Sequence, residues 1–400
     1  MARAPRSDAD VPDDLAQARR VRRKGYAAVL VSNIFFGLAL GMFLPLLPLR
    51  LDQMGTSAFL IGVNAASSSC AIFFTAPLIG HVLRHVGYAG AVVGGALVFA
   101  AGSIAMVIAP GYVAWTVLRF VAGLGMSVHW VASESWLNQA AEEGERGRIL
   151  SLYVAAFIGG TAAGPLVLSA IGSAGPTPFI MIAVFSVLSA LCILPGRSGA
   201  PVFEVMAKAA VRAVFKAAPR LMTAGLLMGI AQGAALGMMA LYGVRAGLVE
   251  ADATLLQAAL LGGGLLLQFP IGWLADRVQD RHRLIVILCL VSVAGAGALV
   301  PLTNIPILLY PMLILWGGCL IGIYTVALAL LGARFAGLGG MAAANAAFIL
   351  TWELGTFSGA PVAGAMMQVM GPVGLPLAMG VSAAAVGLLM AWRAAIDRPG

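Results

Sequence analysis

A few ionisable side chains lie within long apolar stretches of the sequence, and they are the residues best suited to chemistry. Arg119, Glu134 and Glu353 are charged and His129 can exchange a proton, yet each lies within a predominantly apolar stretch. Inserting an arginine at the centre of a membrane helix costs about 2.5–3.5 kcal/mol, so such groups are kept where they have a partner, a water-filled cavity or a function. The predicted chemistry is therefore proton exchange or charge recognition inside a membrane.

Glu353 is the acid that the sequence places nearest to the middle of an apolar stretch. Burial away from water favours the protonated form of a carboxyl group, so Glu353 is a candidate for proton coupling. The alternative is a carboxyl group that hydrogen-bonds between neighbouring helices. His129 is either a proton relay or a histidine whose ring is capped by a backbone carbonyl group.

Glu134 follows Arg119 by fifteen residues, about 22 Å along one helix, so the two cannot form an ion pair. Glu134 is expected near the membrane surface, beside Arg146 and Arg148. We interpret these three residues as a gating or structural ion-pair group, with a proton site at Glu134 as the alternative. Arg119 needs either a water cavity or hydrogen bonds to a neighbouring helix.

The composition excludes a water-soluble enzyme. Hydrophobic residues make up 61% of the 400 residues and charged residues 10%, against about 45–50% and about 25% in soluble domains. No phosphate-binding loop, nucleophile elbow or metalloprotease motif occurs, and the four cysteines lack the spacing of zinc ligands. We therefore expect no enzyme activity and no cofactor or metal. Nucleic-acid binding is not predicted, because no basic patch is interleaved with aromatic residues.

The apolar sequence divides into twelve segments, each long enough to cross a bilayer of about 30 Å as a helix. They are 26–49, 57–82, 87–108, 111–139, 148–172, 177–194, 220–245, 253–275, 284–301, 305–333, 340–369 and 373–394. Because the number is even, both termini lie on the same side of the membrane.

The basic residues predict which side that is. Of 24 Lys and Arg residues, all but Arg50, Arg245 and Arg119 fall on the side of the termini. Lys and Arg accumulate in cytoplasmic loops. The sequence therefore predicts a multi-pass protein of the cytoplasmic (inner) membrane with both termini in the cytoplasm.

The chain is expected to form two six-helix bundles, at 25–195 and 220–395. The first is preceded by a disordered cytoplasmic tail at 1–24 and the second is followed by a short tail at 396–400. Basic residues recur every fourth position from Lys208 to Arg220 within the cytoplasmic linker 196–219. This pattern predicts either an amphipathic helix on the anionic membrane surface or a solvated basic helix.

The two bundles are predicted to be parallel repeats of one another. Gly37 and Gly41 recur as Gly233 and Gly237, and the pair Gly160 and Gly164 recurs as Gly355 and Gly359, at offsets of 195 or 196 residues. Because an offset of this length spans six segments, both halves have the same topology. Gly225 begins a line of glycines every fourth residue to Gly237, which indicates either close helix packing or a seam along which bundles move.

Polar side chains indicate which segments face the protein interior, because they are unfavourable against lipid. Segments 3, 6 and 9 contain no charged or amide side chain, and segment 12 contains only Arg393 at its end; all four are predicted to face lipid. The predicted substrate cavity contains Asn33, Arg119, His129, Gln232, Gln257, Trp316 and Tyr324.

Several motifs resemble the major facilitator superfamily of transporters. The run Gly272-Trp-Leu-Ala-Asp276-Arg277 is similar to its cytoplasmic signature, and Gly80 to Gly87 is a degraded copy of that run with Arg84 in place of an aspartate. Arg119 opens a run similar to the superfamily motif of the fourth helix. The resemblance implies gating roles for Gly272, Asp276 and Arg277, and a role for Arg119 in proton coupling or anion attraction.

The run from Glu134 to Asn138 with Arg146 and Arg148 is similar to the YcaD-like branch of this superfamily. The sequence thus predicts an all-α secondary transporter that moves a small organic molecule by alternating access, through proton-coupled export as a monomer. One alternative is uptake or facilitated diffusion of a small polar metabolite, with Asn33, Gln232 and Gln257 as its hydrogen-bonding groups. A second is a membrane receptor or lipid-handling protein that transports nothing.

Overall fold

The computed structural model describes residues 13–142, 144–201, 211–335 and 341–396. Within these ranges the regular structure is helical and contains no β-strand. An α-helix satisfies its backbone hydrogen bonds internally, which a segment surrounded by lipid requires. The predicted all-α class is confirmed.

Twelve α-helices and two short 3₁₀ helices, Leu194–Gly199 and Gly371–Val373, make up the described chain. The α-helices are α1 (Asp13–Gln53), α2 (Ala58–Ile108), α3 (Tyr112–Ala140), α4 (Arg146–Ile171), α5 (Thr177–Ile193), α6 (Val211–Ala217), α7 (Pro219–Arg245), α8 (Glu250–Arg277), α9 (Arg281–Leu302), α10 (Pro306–Phe335), α11 (Met341–Met370) and α12 (Gly374–Ile396).

Helix α2 crosses the membrane twice. Its 51 residues would extend about 77 Å as one straight helix, far more than the bilayer thickness. Gly87 interrupts it with φ 67° and ψ 177°, a left-handed conformation that residues other than glycine rarely adopt. The arms at 58–86 and 88–108 correspond to the second and third predicted segments.

The described residues contain nine helical stretches that are long and apolar enough to cross a membrane. Two of these stretches, 58–108 and 344–392, contain two crossings each. Helix α3 is not among the nine because Arg119, His129 and Glu134 reduce its hydropathy, although its 29 residues are long enough. Adding it gives twelve crossings, so the predicted twelve-helix architecture is confirmed.

The predicted disordered tail at 1–24 is wrong from Asp13 onward, because α1 begins at that residue. The hydroxyl group of Tyr26 donates to the Ala140 carbonyl oxygen, and Arg22 pairs with Glu142 beyond the end of α3. The Arg22 guanidinium lowers the pKa of the Glu142 carboxyl group. These contacts fix the start of α1 against the end of α3, whereas residues 1–12 lie outside the described residues.

The predicted linker helix is only partly described. Helix α6 covers seven residues, and 202–210, with Lys208, lie outside the described ranges. Val214 is buried in the main core while Phe215 is 40% exposed, and α6 contacts α11. The short helix therefore packs on the second half of the protein through Val214. The tail prediction at 396–400 also falls almost wholly outside the described residues.

The repeated glycines form the same contact in both halves. In the first half, a Cβ atom on Gly160 would lie 2.4 Å from the Ile34 carbonyl oxygen of α1. In the second, a Cβ atom on Gly355 would lie 2.1 Å from the Leu226 carbonyl oxygen of α7. The contacts of α1 with α4 and of α7 with α11 are thus equivalent, as the sequence repeat predicts.

The glycine line on α7 also packs against α11. Gly229 meets the carbonyl oxygen of Trp352, and Gly233 that of Thr356. Both helices belong to the second half, so most of the line joins helices within one bundle, and only its last member Gly237 also reaches the first half, where a Cβ atom would lie 3.0 Å from that of Ala65. Small residues of this kind allow membrane helices to approach at backbone distance.

We predict that Gly355→Val destabilises the second half, because the new side chain overlaps the backbone of α7, which cannot move aside as a side chain can. Overpacking of this kind costs about 1–3 kcal/mol or more. Thermal unfolding of the purified protein is the measurement. Gly262→Val is the matched control, since nothing lies within 4 Å of a Cβ atom there; equal midpoints for the two variants would contradict the prediction.

Candidate functional site

The two halves, α1–α5 and α7–α12, are joined by polar contacts at one end of the helices. We call the end at which α1 begins and α12 ends the terminus side, and the other end the far side. On the far side, Nη2 and Nε of Arg245 donate to Oδ1 of Asp52 at 2.7 and 3.1 Å. Both side chains are about one quarter exposed. Asp52 ends α1 and Arg245 ends α7, so the ion pair connects the halves.

Glu250, the first residue of α8, adds two further contacts on the far side. The side-chain amide of Gln53 and the hydroxyl group of Ser173 both donate to its carboxylate. The Asp52–Arg245 pair and this carboxylate together form what we call the far-side lock, which is closed in this conformation.

Apolar contacts extend the closure toward the middle of the helices. A Cβ atom on Gly62 of α2 would lie 2.3 Å from the Ala360 carbonyl oxygen of α11. Nearer the middle, the rings of Phe73 and Phe357 meet edge to face with their centroids 6.2 Å apart. These contacts bring α2 and α11 together in the far half of the interface.

Glu353 lies one helical turn from Phe357, on the terminus side of this closure. Residues four apart share a helix face, so Glu353 is on the face of α11 that contacts the first half through Phe357 and Pro361. Pro361 and Phe357 both line a cavity with residues of α2 and α3. The carboxyl group of Glu353 thus lies where the packed interface ends.

Aromatic rings from both halves surround this position. In the second half, the ring of Tyr324 lies 4.7 Å from that of Trp352 in an edge-to-face arrangement and 5.8 Å from that of Phe348. In the first half, the rings of Trp130 and Phe157 are parallel, with centroids 6.4 Å apart. The walls of the opening are therefore aromatic on both sides.

Two carboxyl groups lie beside these aromatic clusters. Glu353 of α11 is half-buried and directly follows Trp352, whose ring contacts that of Tyr324. Glu134 of α3 is exposed and lies one helical turn after Trp130. The ring of Trp130 stacks on Phe157, which also stacks on Tyr153. We call Glu134, Tyr153, Tyr324, Trp352 and Glu353 the central acidic site.

Arg119 lies outside this site, within the first half. It is 1% exposed, and its Nη1 donates to Oδ1 of Asn64 at 2.9 Å. The amide of Asn64 donates in turn to the Thr116 hydroxyl group, and the guanidinium lies 5.7 Å from the ring centre of Phe43. A side-chain amide and an aromatic ring, rather than backbone carbonyl groups, stabilise the charge. Arg119 is thus not placed in the opening between the halves.

His129 and Asn33 are also enclosed in the first half. Nδ1 of His129 lies 3.1 Å from the Val92 carbonyl oxygen, and its ring stacks on Phe36 at 3.9 Å. The amide of Asn33 donates to the Val29 carbonyl oxygen of its own helix. Both residues are fully buried, so neither faces the second half, and their predicted place in the substrate cavity is not met in this conformation.

The predicted cavity residues of the second half separate into two groups. Gln257 is buried and donates to the Leu236 carbonyl oxygen at 3.2 Å, which ties α8 to α7. Trp316 is buried against Gly295 of α9. Both are therefore packing residues rather than cavity residues. Gln232 is partly exposed, and Tyr324 is in the central acidic site.

The residues of the predicted gate lie at the terminus-side end of α8. Asp276 is 81% exposed and has only a 3.7 Å contact with Arg281 of its own half. The guanidinium of Arg277 lies 3.6 Å from the ring centre of Trp273, and nothing lies within 4 Å of a Cβ atom on Gly272. Gly272, Asp276 and Arg277 are therefore grouped as predicted, without a partner from the first half among the described residues.

The expected ion pairs of Glu134 with Arg146 and Arg148 are not formed among the residues that the structure describes. Both arginines are exposed at the start of α4, whereas Glu134 lies six residues before the end of α3, about 9 Å along the helix. Glu134 is therefore deeper than the two arginines, which is the physical reason for the difference.

The cavity lined by Phe357 and Pro361 has a volume of about 410 Å³ and lies between α2, α3 and α11. Its lining includes Val63, Val117 and Phe120 and is almost entirely apolar. It contains none of the acidic residues, so we do not regard it as the functional site.

The sequence comparisons agree with this architecture. The sequence model described as Major Facilitator Superfamily matches residues 29–360. The chain belongs to the major facilitator superfamily. The uncharacterized MFS-type transporter YcaD of Salmonella arizonae is 28% identical over 349 residues, which cover 85% of this chain and 88% of that protein. The protein of the same name in Salmonella enteritidis has the same identity and coverage.

Solved structures of the superfamily share the fold at low sequence identity. A mutant of the nucleoside transporter NupG aligns with a TM-score of 0.75 and 13% identity, covering 94% of this chain and 100% of that one. A bacterial homolog of the human lysosomal transporter Spinster aligns with a TM-score of 0.73 and 12% identity, covering 94% and 96%. The family and the fold together identify this protein as a multi-pass membrane transporter, a class that is generally not enzymatic.

We predict that Asp52→Asn increases the fraction of molecules that are open on the far side. An ion pair of this exposure contributes at most about 1 kcal/mol, so the ratio of open to closed molecules rises by up to about fivefold. Spin labels at Met54 and Ala251, both exposed at the far ends of the two halves, report the change as a longer distance.

Two further variants test the same ion pair. The double exchange Asp52→Arg with Arg245→Asp restores the pair and the short distance. Asp252→Asn is the control, because Asp252 is exposed in the first turn of α8 and has no ion pair among the described residues. If Asp252→Asn opened the far side as much as Asp52→Asn does, general charge rather than the pair would hold it closed.

Proposed function

We propose that this transporter exports a small organic molecule in exchange for protons, as a monomer in the cytoplasmic (inner) membrane with both termini in the cytoplasm. The observation that carries the proposal is the difference between the two ends of the described helices: polar contacts join the halves on the far side, whereas Asp276 on the terminus side pairs only within its own half. Glu353 lies between these ends, next to the closure at Phe357. Substrate enters this opening from the cytoplasm, the halves rock, and the far-side lock opens to release it.

Glu353 is the proton-exchanging group of the proposed mechanism. It has no hydrogen bond or ion pair among the described residues, and it lies beside the closure between Phe73 and Phe357. A carboxylate without a counter-ion is unfavourable in an apolar enclosure. Gain of a proton therefore favours conformations in which Glu353 is enclosed, and loss of the proton favours conformations in which water reaches it.

The placement of the amides supports export of an apolar molecule over uptake of a polar metabolite. A hydrogen-bonding site for a sugar-like molecule needs several amides in the opening, but Asn33 and Gln257 are bonded within their own halves. The walls carry aromatic rings instead. Arg119 acts through the Asn64 contact and stabilises the first half rather than touching the substrate.

We predict that Gly272→Leu folds normally but prevents closure of the terminus side, because the open space beside Gly272 must be filled when the halves approach. Labels at Ser151 and Ala333, both exposed near the terminus side, should remain at the long distance under every condition. Gly297→Leu is the control, since Gly297 is equally free and its helix packs only on the second half. Closure in Gly272→Leu would remove Gly272 from the gate.

We predict that Glu353→Gln abolishes accumulation driven by a pH gradient but preserves exchange of substrate at equal pH. Glutamine is isosteric with the protonated acid and cannot release a proton. Proteoliposomes with an imposed pH gradient, first screened with labelled metabolites and drugs, provide the measurement. Accumulation that survives in Glu353→Gln would transfer the coupling role to Glu134.

A second measurement needs no knowledge of the substrate. The distance between labels at Met54 and Ala251 should respond to pH in the otherwise unmodified protein and lose this response in Glu353→Gln. Glu145→Gln removes a carboxyl group from the exposed turn before α4 and should leave the pH response intact. A response that is equal in all three proteins would contradict proton coupling at Glu353.

A further inference from the structure

Two histidines lie side by side on α2 at its terminus-side end. His81 and His85 are four positions apart, shortly before Gly87 interrupts the helix, and residues with this spacing are neighbours on a helix surface. Both side chains are exposed, and their ring centroids lie 4.1 Å apart. The two imidazole groups therefore form a close and accessible pair, which belongs neither to the far-side lock nor to the central acidic site.

The pair lies outside the hydrocarbon core of the membrane. The arm of α2 from 58 to 86 is about 43 Å long as a helix, whereas the core is about 30 Å thick. Arg84, which lies between the two histidines, is exposed as well, and a charged side chain is unfavourable against lipid. Both rings are therefore reached from the water on the terminus side.

A hydrogen bond determines which ring nitrogen of His85 can bind a ligand. Nδ1 of His85 lies 2.8 Å from the carbonyl oxygen of His81. Because a carbonyl oxygen only accepts, Nδ1 of the neutral ring carries the proton and Nε2 keeps its lone pair. Histidines that bind metal ions commonly donate their other ring nitrogen in this way, which fixes the tautomer and the orientation of the ring. Nε2 of His85 is thus oriented as a metal ligand would be.

Neither histidine forms an ion pair with an acid among the described residues. Within the same ranges, no group of three or more His, Cys, Asp and Glu side chains could hold a metal ion. A site at this pair therefore has two protein ligands and leaves its other positions to water. The sequence-based expectation of no metal rests on clusters of zinc ligands and does not cover a two-ligand site.

We infer that His81 and His85 together bind one divalent transition-metal ion on the terminus side of the first half. Two histidines at this spacing on a helix bind zinc in the H-E-x-x-H motif of metalloproteases. Imidazole nitrogen suits Zn²⁺, Ni²⁺ and Cu²⁺, whereas Mg²⁺ and Ca²⁺ prefer oxygen ligands. Arg84 repels the ion, so binding is weaker than at a site that contains a carboxylate.

The geometry of the pair allows one ion to contact both rings. Zinc binds imidazole nitrogen at about 2.0–2.1 Å. The ring centroids are 4.1 Å apart, so rotation of the two side chains brings both Nε2 atoms to a common ion without a change of the backbone. The site therefore exists in the helix as it is folded.

Cu²⁺ is a suitable probe, because it forms the most stable complexes among the divalent first-row ions and its EPR spectrum reports the number of bound imidazole groups. The full chain, purified without a polyhistidine tag, should bind one Cu²⁺ ion through two imidazole groups. His81→Gln and His85→Gln should each leave one imidazole group and weaken binding by about tenfold or more, because two linked ligands bind more tightly than one.

Two control variants keep the chemistry but not the pair. His282→Gln removes a histidine of the second half that contacts Asp280 and should bind Cu²⁺ as the unmodified protein does. His85→Gln combined with Val86→His moves one histidine to a position that is also exposed. Side chains five positions apart point about 140° away from each other, so this double variant should show one imidazole group and the weaker affinity. Thermal unfolding without metal verifies that all variants are folded.

The inference is overturned if the EPR spectrum of the unmodified protein never shows two imidazole groups, if the single variants bind Cu²⁺ as tightly as the unmodified protein, or if the variant with shifted spacing keeps the two-imidazole signal. Displacement of Cu²⁺ by an equal concentration of Mg²⁺ would contradict it as well. None of these measurements requires a transported substrate, so the result is independent of whether Glu353 couples transport to protons.

Discussion

The unfavourable energy of a charge in an apolar enclosure is the constraint on which the rest of this structure depends. Four ionisable groups lie well within the helices, and the fold treats them in two ways. Arg119 and His129 are enclosed in the first half and satisfied by neutral groups, Asn64, Phe43 and the Val92 carbonyl oxygen. Glu134 and Glu353 remain without charged partners. The satisfied groups stabilise one bundle, whereas the unsatisfied acids lie where a mobile ligand can reach them.

The two repeated halves are rigid bundles that hold these ionisable groups in place. Glycine contacts bring α1 to α4 and α7 to α11 at backbone distance, so each half is firmly packed internally. The contacts between the halves include an ion pair at the surface, one phenylalanine pair, glycine contacts of α2 with α11, and the packing of α4 on α8. Because the ion pair and the closest glycine contacts lie toward the far side, a whole half can move about them without internal repacking.

The sequence could predict the segments, their repeat and the depth of Glu353, because hydropathy, glycine spacing and residue count depend only on local chemistry. It could not predict the surroundings of Arg119, His129 or Trp316, because a polar residue inside a bundle and one lining a cavity have the same sequence pattern. The far-side lock was also missed. Two features of the sequence could have indicated the lock. Arg245 is one of the few basic residues that do not fall on the side of the termini, and Asp52 precedes it by 193 residues, which is close to the offset of the repeat.

The position of Asp52 and Arg245 at equivalent places in the repeat has a consequence for the conformational balance. Both residues lie on the far side, and their opposite charges attract each other across the pseudo-symmetry axis. The lock therefore closes the far side of the transporter only. The lock contributes at most about 1 kcal/mol, which is less than the energy of enclosing an unneutralised carboxylate. In the proposed mechanism, the protonation of Glu353 therefore outweighs the ion pair in deciding which side opens.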